Sequence, residues 1–335
     1  MRRYRRYWQF HRRNVEDVSI AEAPLQSAAH RLSPEQIAAY DVDGYLVLPG
    51  LVPPDLLERL RSAGERWMQR GHDAGGTPEE VDYQFADRPS GRVMFRVDYL
   101  HGKGEPASLE LLGLPEMLGI AESLGGPNAV PTYESMVFKA DGDGAPIHWH
   151  QDAVHPRRYR IFNVDVYLDD SLAGVGALRV VPGSQHQRTD ICALEESHGW
   201  DVPGAVEVPL HAGDVLIHDV MIVHGSPPVV GNKLRRTIYY EFRPAEQIAA
   251  EGPWDESWVR RRMSLIPLAL DEHARSRPHA EQFPWSPAPQ FAPSRSQGRE
   301  ADLRIVHEGH TPGSFCSAGS VGEPDAGAPV PRATR

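Results

Sequence analysis

From Tyr133 to Pro244 the chain is a succession of short runs rich in Val, Ile, Tyr and Phe. These are YESMVFKA, RIFNVDVYLDD, GALRVVPGS, AVEVPL, DVLIHDVMIVHG and RRTIYYEFRP, with Gly, Pro and Asp between them. Each run has strand length, each break carries turn residues, and no helical period intervenes. Such spacing predicts an antiparallel sandwich or barrel.

Helical signals flank this β-rich block. Ser33-Pro34-Glu35-Gln36 reads as an N-cap, a first-turn proline and a capping-box partner, predicting a short helix to about Tyr40. Residues 44–49 read as a strand ended by a turn. Leu56, Leu57, Leu60, Ala63 and Trp67 recur at helical spacing over 54–70. Residues 108–124 predict a helix or helix pair interrupted near Pro115, and 254–276 a helix divided by Pro267. The organisation expected is an N-terminal extension over 1–30, one domain over 31–290 and a largely disordered Pro/Gly/Ala/Ser-rich tail over 291–335.

Composition excludes several classes. A net charge of −11 argues against nucleic-acid binding, which needs excess Lys and Arg to neutralise phosphates. No stretch approaches the roughly 18 apolar residues of a membrane helix. The Arg-rich start lacks the apolar region of a secretory signal. Cys192 and Cys316 lie far apart in sequence, so the expectation is no disulfide and a cytoplasmic location.

The chemistry centres on His148-Trp149-His150-Gln151-Asp152. On a strand, positions two apart share a face, so His150 and Asp152 can meet one cation. Imidazole plus carboxylate suits Fe(II), and a second His completes a facial triad that leaves positions open for other ligands. By itself the triplet is weak evidence in a chain with 16 histidines. His224 supplies the second His at the end of an apolar run, beside Gly225-Ser226. Arg235, eleven residues later, opens the next strand, where its planar fork matches a carboxylate in a buried pocket.

With these residues in place, the chain resembles the phytanoyl-CoA dioxygenase family of the Fe(II)/2-oxoglutarate oxygenases, over about residues 33–245. The resemblance rests on the ordered segments SPEQIAAYDVDGYLVLPGLV, HQD, VDVYLDDSLAGVGALRVVPGSQH and HGS…R. It implies a mainly β fold with flanking helices, a double-stranded β-helix of the jelly-roll, cupin-like type. It also implies Fe(II), O2 and 2-oxoglutarate as cofactor and co-substrates, His150, Asp152 and His224 as metal ligands, and Arg235 and Ser226 on the distal carboxylate. Lys139 and Asp165 fall near family positions that face the co-substrate. The usual PGSH reads Pro182-Gly183-Ser184-Gln185-His186 here, which puts a role for His186 in doubt. Because Asp152 supplies a carboxylate where related halogenases have a small residue, hydroxylation of a C–H bond is the implied outcome. Desaturation, epoxidation and rearrangement remain alternatives. The implied substrate is a small metabolite, of the kind met in bacterial secondary metabolism and natural product biosynthesis.

Neighbouring residues have plainer readings beside the functional ones. His148 reads as a pocket residue rather than a ligand. His155 faces either the substrate mouth or solvent. His218, six residues before His224 on one regular strand, would lie about 20 Å from it, too far to share a metal. Arg236 points away from Arg235 into a structural ion pair, and Tyr239, Tyr240 and Phe242 read as core. Arg92, Arg96 and Tyr99 are candidate substrate contacts, with surface or structural roles as the alternative. Two rival functions stand beside the oxygenase: a cupin-like metalloenzyme that does not use 2-oxoglutarate, and a non-catalytic β-sandwich binding protein.

Overall fold

The computed structural model describes residues 30–77, 80–88, 91–140, 145–231, 234–293, 303–307 and 309–316. The basic arm over 1–29 and residues 317–335 lie outside the described residues. The fold opens on helix α1 (Pro34–Asp43), whose capping box closes as the sequence predicts: Ser33 Oγ accepts from Gln36 N, and the Gln36 side chain accepts from Ser33 N. Gly44 ends the helix with φ 81°, a conformation that glycine adopts without strain. Strand β1 (Tyr45–Leu48) and helix α2 (Pro54–Asp73) follow, and α2 buries Leu56, Leu57, Leu60, Ala63 and Trp67 along one face. The hairpin β2 (Tyr83–Arg88) and β3 (Gly91–Asp98) leads to helices α3 (Pro106–Leu112) and α4 (Pro115–Gly125). Proline at the first turn of α3 and α4 fits because that position needs no amide donor.

The remaining strands are β4 (Ala129–Ala140), β5 (Ile147–His150), β6 (Phe162–Tyr167), β7 (Leu178–Val181), β8 (Val206–Val208), β9 (Val215–Asp219), β10 (Val223–Ser226) and β11 (Leu234–Pro244). They form two antiparallel sheets, β1-β9-β6-β11-β4-β3-β2 and β5-β10-β7-β8. Side chains alternate across the larger sheet. Ile238, Tyr240 and Phe242 join the core beneath the helices, while Arg235, Thr237, Tyr239 and Glu241 take the opposite face. Between the sheets an apolar cluster includes Tyr45, Tyr167, Val180, Leu216 and Ile222. The architecture is the double-stranded β-helix with flanking helices that the sequence implied.

Four local expectations need correction. A helix, α5 (Ile191–His198), interrupts the strand series; Asp190 caps it by accepting from Ala193 N at 3.1 Å. The run DVLIHDVMIVHG is two strands rather than one. The Asp219 carboxylate accepts from Met221 N and its carbonyl from Ile222 N, folding a turn between β9 and β10. The C-terminal helical region consists of α6 (Ala245–Glu251), α7 (Glu256–Met263) and α8 (Leu265–Ser276). Its break falls at Ser264, and Pro267 sits in the first turn of α8, where proline is tolerated. Cys192 and Cys316 form a disulfide across 124 positions, with Cα atoms 4.7 Å apart. Sequence distance misled because α5 and the C-terminal segment meet in space. Within the tail region, Ser314 forms an isolated bridge with Gln151, just beyond β5.

Candidate metal and co-substrate site

His150 ends β5, and His224 lies opposite it in register on β10. Their ring centroids are 4.1 Å apart. In each ring Nδ1 faces a backbone carbonyl two residues earlier: His150 to His148 O at 2.8 Å and His224 to Ile222 O at 2.9 Å. A carbonyl only accepts, so Nδ1 carries the proton and Nε2 presents its lone pair. Asp152 completes the group. Its Oδ1 is 3.2 Å from His150 Nε2, and its Oδ2 is 3.7 Å from His224 Nε2. One donor atom from each of the three residues lies within 4.8 Å of the other two. Among the described residues no other set of His, Cys, Asp and Glu meets that condition.

Electrostatics suits a divalent cation. Burial, and the repulsion that a second proton on neighbouring His150 would add, push the His224 pKa down to about 3, so its ring is neutral at pH 7. Burial works against the charge on Asp152, but His224, His150 and His218 hold its carboxyl well below the ordinary range. Two neutral imidazoles and one carboxylate with open positions are the donors that non-haem Fe(II) takes. Asn163 on β6 donates to Asp152 Oδ2 at 2.8 Å and fixes the carboxylate. Gln151 turns away from the metal side. Fully buried, it accepts from Thr189 N (2.8 Å) and donates to Gln187 O (2.9 Å) and Met221 O (2.5 Å).

Arg235 stands at the start of β11, 6% exposed. Its guanidinium donates to Ser171 Oγ (3.0 Å), to Gly176 O and to Ser226 Oγ (3.4 Å). Lys139 pairs with Arg235 across β4 and β11, and its Nζ reaches Ser226 Oγ at 2.8 Å and Pro227 O at 2.9 Å. Because Ser226 is two residues beyond His224 on β10, one strand carries both a metal donor and the hydroxyl that the cationic pair of β4 and β11 holds. A dicarboxylate chelating the metal at one end would meet two buried cations and a hydroxyl at the other.

The other expected residues divide. Asp165 is not beside Arg235; it pairs with His218 at 3.2 Å, both 1% exposed. His218 lies 4.6 Å from the His224 ring, not about 20 Å away, because the turn after Asp219 folds the two strands into different sheets. Burial disfavours charge on His218, but Asp165 holds its pKa up to about 9. Burial also raises the Asp165 carboxyl, and the pair keeps a proton through neutral pH. His148 turns outward to Glu195 (3.2 Å) and Trp200 and meets the metal group only through its carbonyl. His155 is buried, not solvent-facing: Arg157 N donates to its Nδ1 at 3.1 Å, and its Nε2 has no protein partner. Arg96 bonds Asp98 at 2.8 Å and the Tyr133 hydroxyl, while Tyr99 packs edge-on to Tyr133 and His307. Arg92 is exposed at the turn end of the β2–β3 hairpin, its guanidinium over Phe85. Arg236 forks onto Asp169, as expected. Gln185 is buried and His186 exposed, so the extra residue in PGSQH turns that histidine to solvent.

The model of the family described as Phytanoyl-CoA dioxygenase (PhyH) matches residues 40–237. The chain belongs to the phytanoyl-CoA dioxygenase family. Its members are non-haem iron enzymes that use 2-oxoglutarate and O2, and the match spans every donor of the metal group and Arg235. L-Proline trans-4-hydroxylase from Streptomyces griseoviridis is 31% identical over 175 residues, covering 48% of this chain and 60% of that protein. The chain thus spans less than two thirds of that relative's length. Ectoine dioxygenase from Stutzerimonas stutzeri (strain A1501) is 23% identical over 288 residues, 76% of this chain and 91% of that protein. Among solved structures, AviO1 from Streptomyces viridochromogenes Tue57 superposes with TM-score 0.54 and 29% identity over 69% of this chain and 99% of AviO1. Asn163, His218 and the segment around Phe315 carry no motif. Only the Asx-turn signal of Asp219 could have brought His218 to the site.

Proposed function

We propose that the chain is an Fe(II)- and 2-oxoglutarate-dependent dioxygenase that hydroxylates a C–H bond of a small metabolite. His150, Asp152 and His224 hold the iron. Arg235, Ser226 and Lys139 hold the distal carboxylate of 2-oxoglutarate. The observation that carries this reading is the convergence of two Nε2 lone pairs and one carboxylate, with a buried Arg-Lys-Ser group gathered at Ser226, two residues beyond His224 on β10.

Bound iron supplies O2 activation coupled to oxidative decarboxylation of the co-substrate. The protein's part is orientation and protection. Carbonyls of His148 and Ile222 fix the imidazole tautomers, and Asn163 fixes Asp152. Arg235 and Lys139 orient the dicarboxylate by a charge-assisted fork in a buried pocket. Tyr99, Tyr133 and His307 meet edge to edge, with Arg96 on the Tyr133 hydroxyl. The two curated relatives act on proline and ectoine by their names, which supports a small polar metabolite as substrate. No described helix is long and apolar enough to cross a membrane. The paired cysteines remove the argument that placed the protein in a reducing cytoplasm.

Anaerobic addition of Fe(II) and 2-oxoglutarate tests the site directly. The wild type is expected to develop the weak visible charge-transfer band of the chelate, and an Asp152→Ala/His224→Ala double variant to lack it. No band in the wild type, or the same band in both proteins, sinks the assignment. A succinate-release screen over small metabolites then addresses the substrate.

A further inference from the structure

A segment about 160 residues downstream of the metal strand closes over it. Gln151 and Ser314 exchange both backbone hydrogen bonds, at 3.0 and 2.9 Å, and Val154 N donates to Pro312 O at 2.9 Å. Ser314 Oγ donates to Thr189 O at 2.7 Å. There is no room for a side chain between these partners. A Cβ on Gly313 would lie 2.4 Å from Gln151 O and 2.6 Å from Asp152 O. Next to it the Phe315 ring stacks on His150, with centroids 5.4 Å apart and planes at 16°, yet Phe315 is 39% exposed. A partly exposed aromatic ring thus stacks on a metal-site imidazole. Cys316 follows directly and is bonded to Cys192 on α5. The same helix presents Glu195 to His148 and to Trp149 N.

The restraints on this segment are unequal. Its backbone ladder is a single bridge, and its apolar contact is one half-exposed ring plus Cys316 against the Trp149 cluster. A short edge of this kind opens readily unless something else ties it down. The disulfide is that tie, since it fastens Cys316, the residue after Phe315, to Cys192 on α5. We propose that residues 311–316 are a latched wall of the active site: Phe315, held over His150 by the Cys192–Cys316 bond, governs which molecules reach the metal, and reduction of that bond opens the wall. A dithiol would deliver two electrons and two protons to the sulfurs, leaving two cysteine thiols and the oxidised dithiol. The proposal rests on the reading of His150, Asp152 and His224 as iron ligands.

The test uses iron alone, so it needs no substrate. Full-length protein is loaded anaerobically with Fe(II), and release to ferrozine is followed by absorbance. Four samples are compared: oxidised wild type, wild type reduced with dithiothreitol and desalted, Phe315→Ala, and Phe315→Tyr. Release is expected to quicken about tenfold on reduction and in Phe315→Ala, to stay near the oxidised wild type in Phe315→Tyr, and to slow again on reoxidation. Phe315→Ala keeps the disulfide, and reduction keeps the ring, so the two arms fail independently if one protein misfolds. Rates equal within about twofold across all four samples, in a wild type that holds iron, would overturn the wall alone. A wild type that holds no iron would overturn the ligand assignment and this proposal with it.

Discussion

Asn163 shows how a residue without a motif can govern the metal group. Its amide donates to Asp152 Oδ2 at 2.8 Å, and in the sheet register it sits opposite Glu241 of β11. Asn163→Ala leaves one carboxylate oxygen without its orienting partner, and Fe(II) affinity is expected to fall roughly 10–100-fold, the usual cost of removing such a support. Titration of the chelate band measures it; unchanged affinity would remove Asn163 from the site. Arg235 makes a different prediction. A lysine keeps the charge but cannot reach Ser171, Gly176 and Ser226 together, as the guanidinium fork does. Arg235→Lys is expected to raise the KM for 2-oxoglutarate on the order of tenfold or more, while leaving Fe(II) binding in its absence close to wild type. A loss of iron binding of the same size would show that Arg235 supports the metal rather than the co-substrate.

Elements were legible where their signals are local. The capping box at Ser33, the apolar face of α2 and the break at Pro115 between α3 and α4 all act within a turn or two, and each appears where the sequence puts it. The metal triad was legible for a related reason: His150 and Asp152 lie within one strand end, and the family motifs located His224. What failed was long-range or compensated. DVLIHDVMIVHG looks like one strand because every residue is compatible with a sheet. Only the Asp219 carboxylate, caught by Met221 N and by Arg157, bends it. The C-terminal segment escaped because its Gly, Pro and Ser composition describes chain flexibility, whereas its position depends on partners far away in sequence. Gly313 gives that segment a direct test. Gly313→Ala drives a methyl into Gln151 O, Asp152 O and the Phe315 ring. Overpacking of this kind costs about 1–3 kcal/mol, read as a lower denaturation midpoint, and release of the segment from β5 should appear as faster proteolysis after residue 310. A variant as stable and as protease-resistant as wild type would mean that the segment does not pack there.

At the scale of the whole molecule, buried ionisable groups hold the layers together and make stability depend on pH. Arg262 on α7 and Glu134 on β4 are both fully enclosed and paired, and Arg262 also donates to Pro131 O at 2.7 Å and Ile305 O at 3.2 Å. Removing the arginine strands a buried carboxylate, so Arg262→Met is expected to cost about 3–5 kcal/mol, with partial recovery when Glu134→Gln is added. The histidines set the pH profile of the metal-free protein. Burial lowers the pKa values of His101, His155 and His307 to about 4 each. Between about pH 4 and pH 6.5 the unfolded chain therefore binds protons that the folded one refuses, and stability falls as pH falls through that window. His101, the most enclosed, contributes a slope of up to about 1.4 kcal/mol per pH unit, and the other two contribute less. His218 has the opposite sign. Its pKa is raised to about 9 by Asp165 against the pull of burial. Its contribution is fully present below about pH 6.5 and is lost as pH rises through 9. The two effects meet near pH 6.5, where the melting temperature of chelator-treated protein should peak. Substituting Gln for His218 should flatten the alkaline limb and leave the acid limb in place. Thermal melts from pH 4.5 to 9 decide the matter: a flat wild-type profile, or an alkaline limb that survives in His218→Gln, would show that these rings do not carry the dependence.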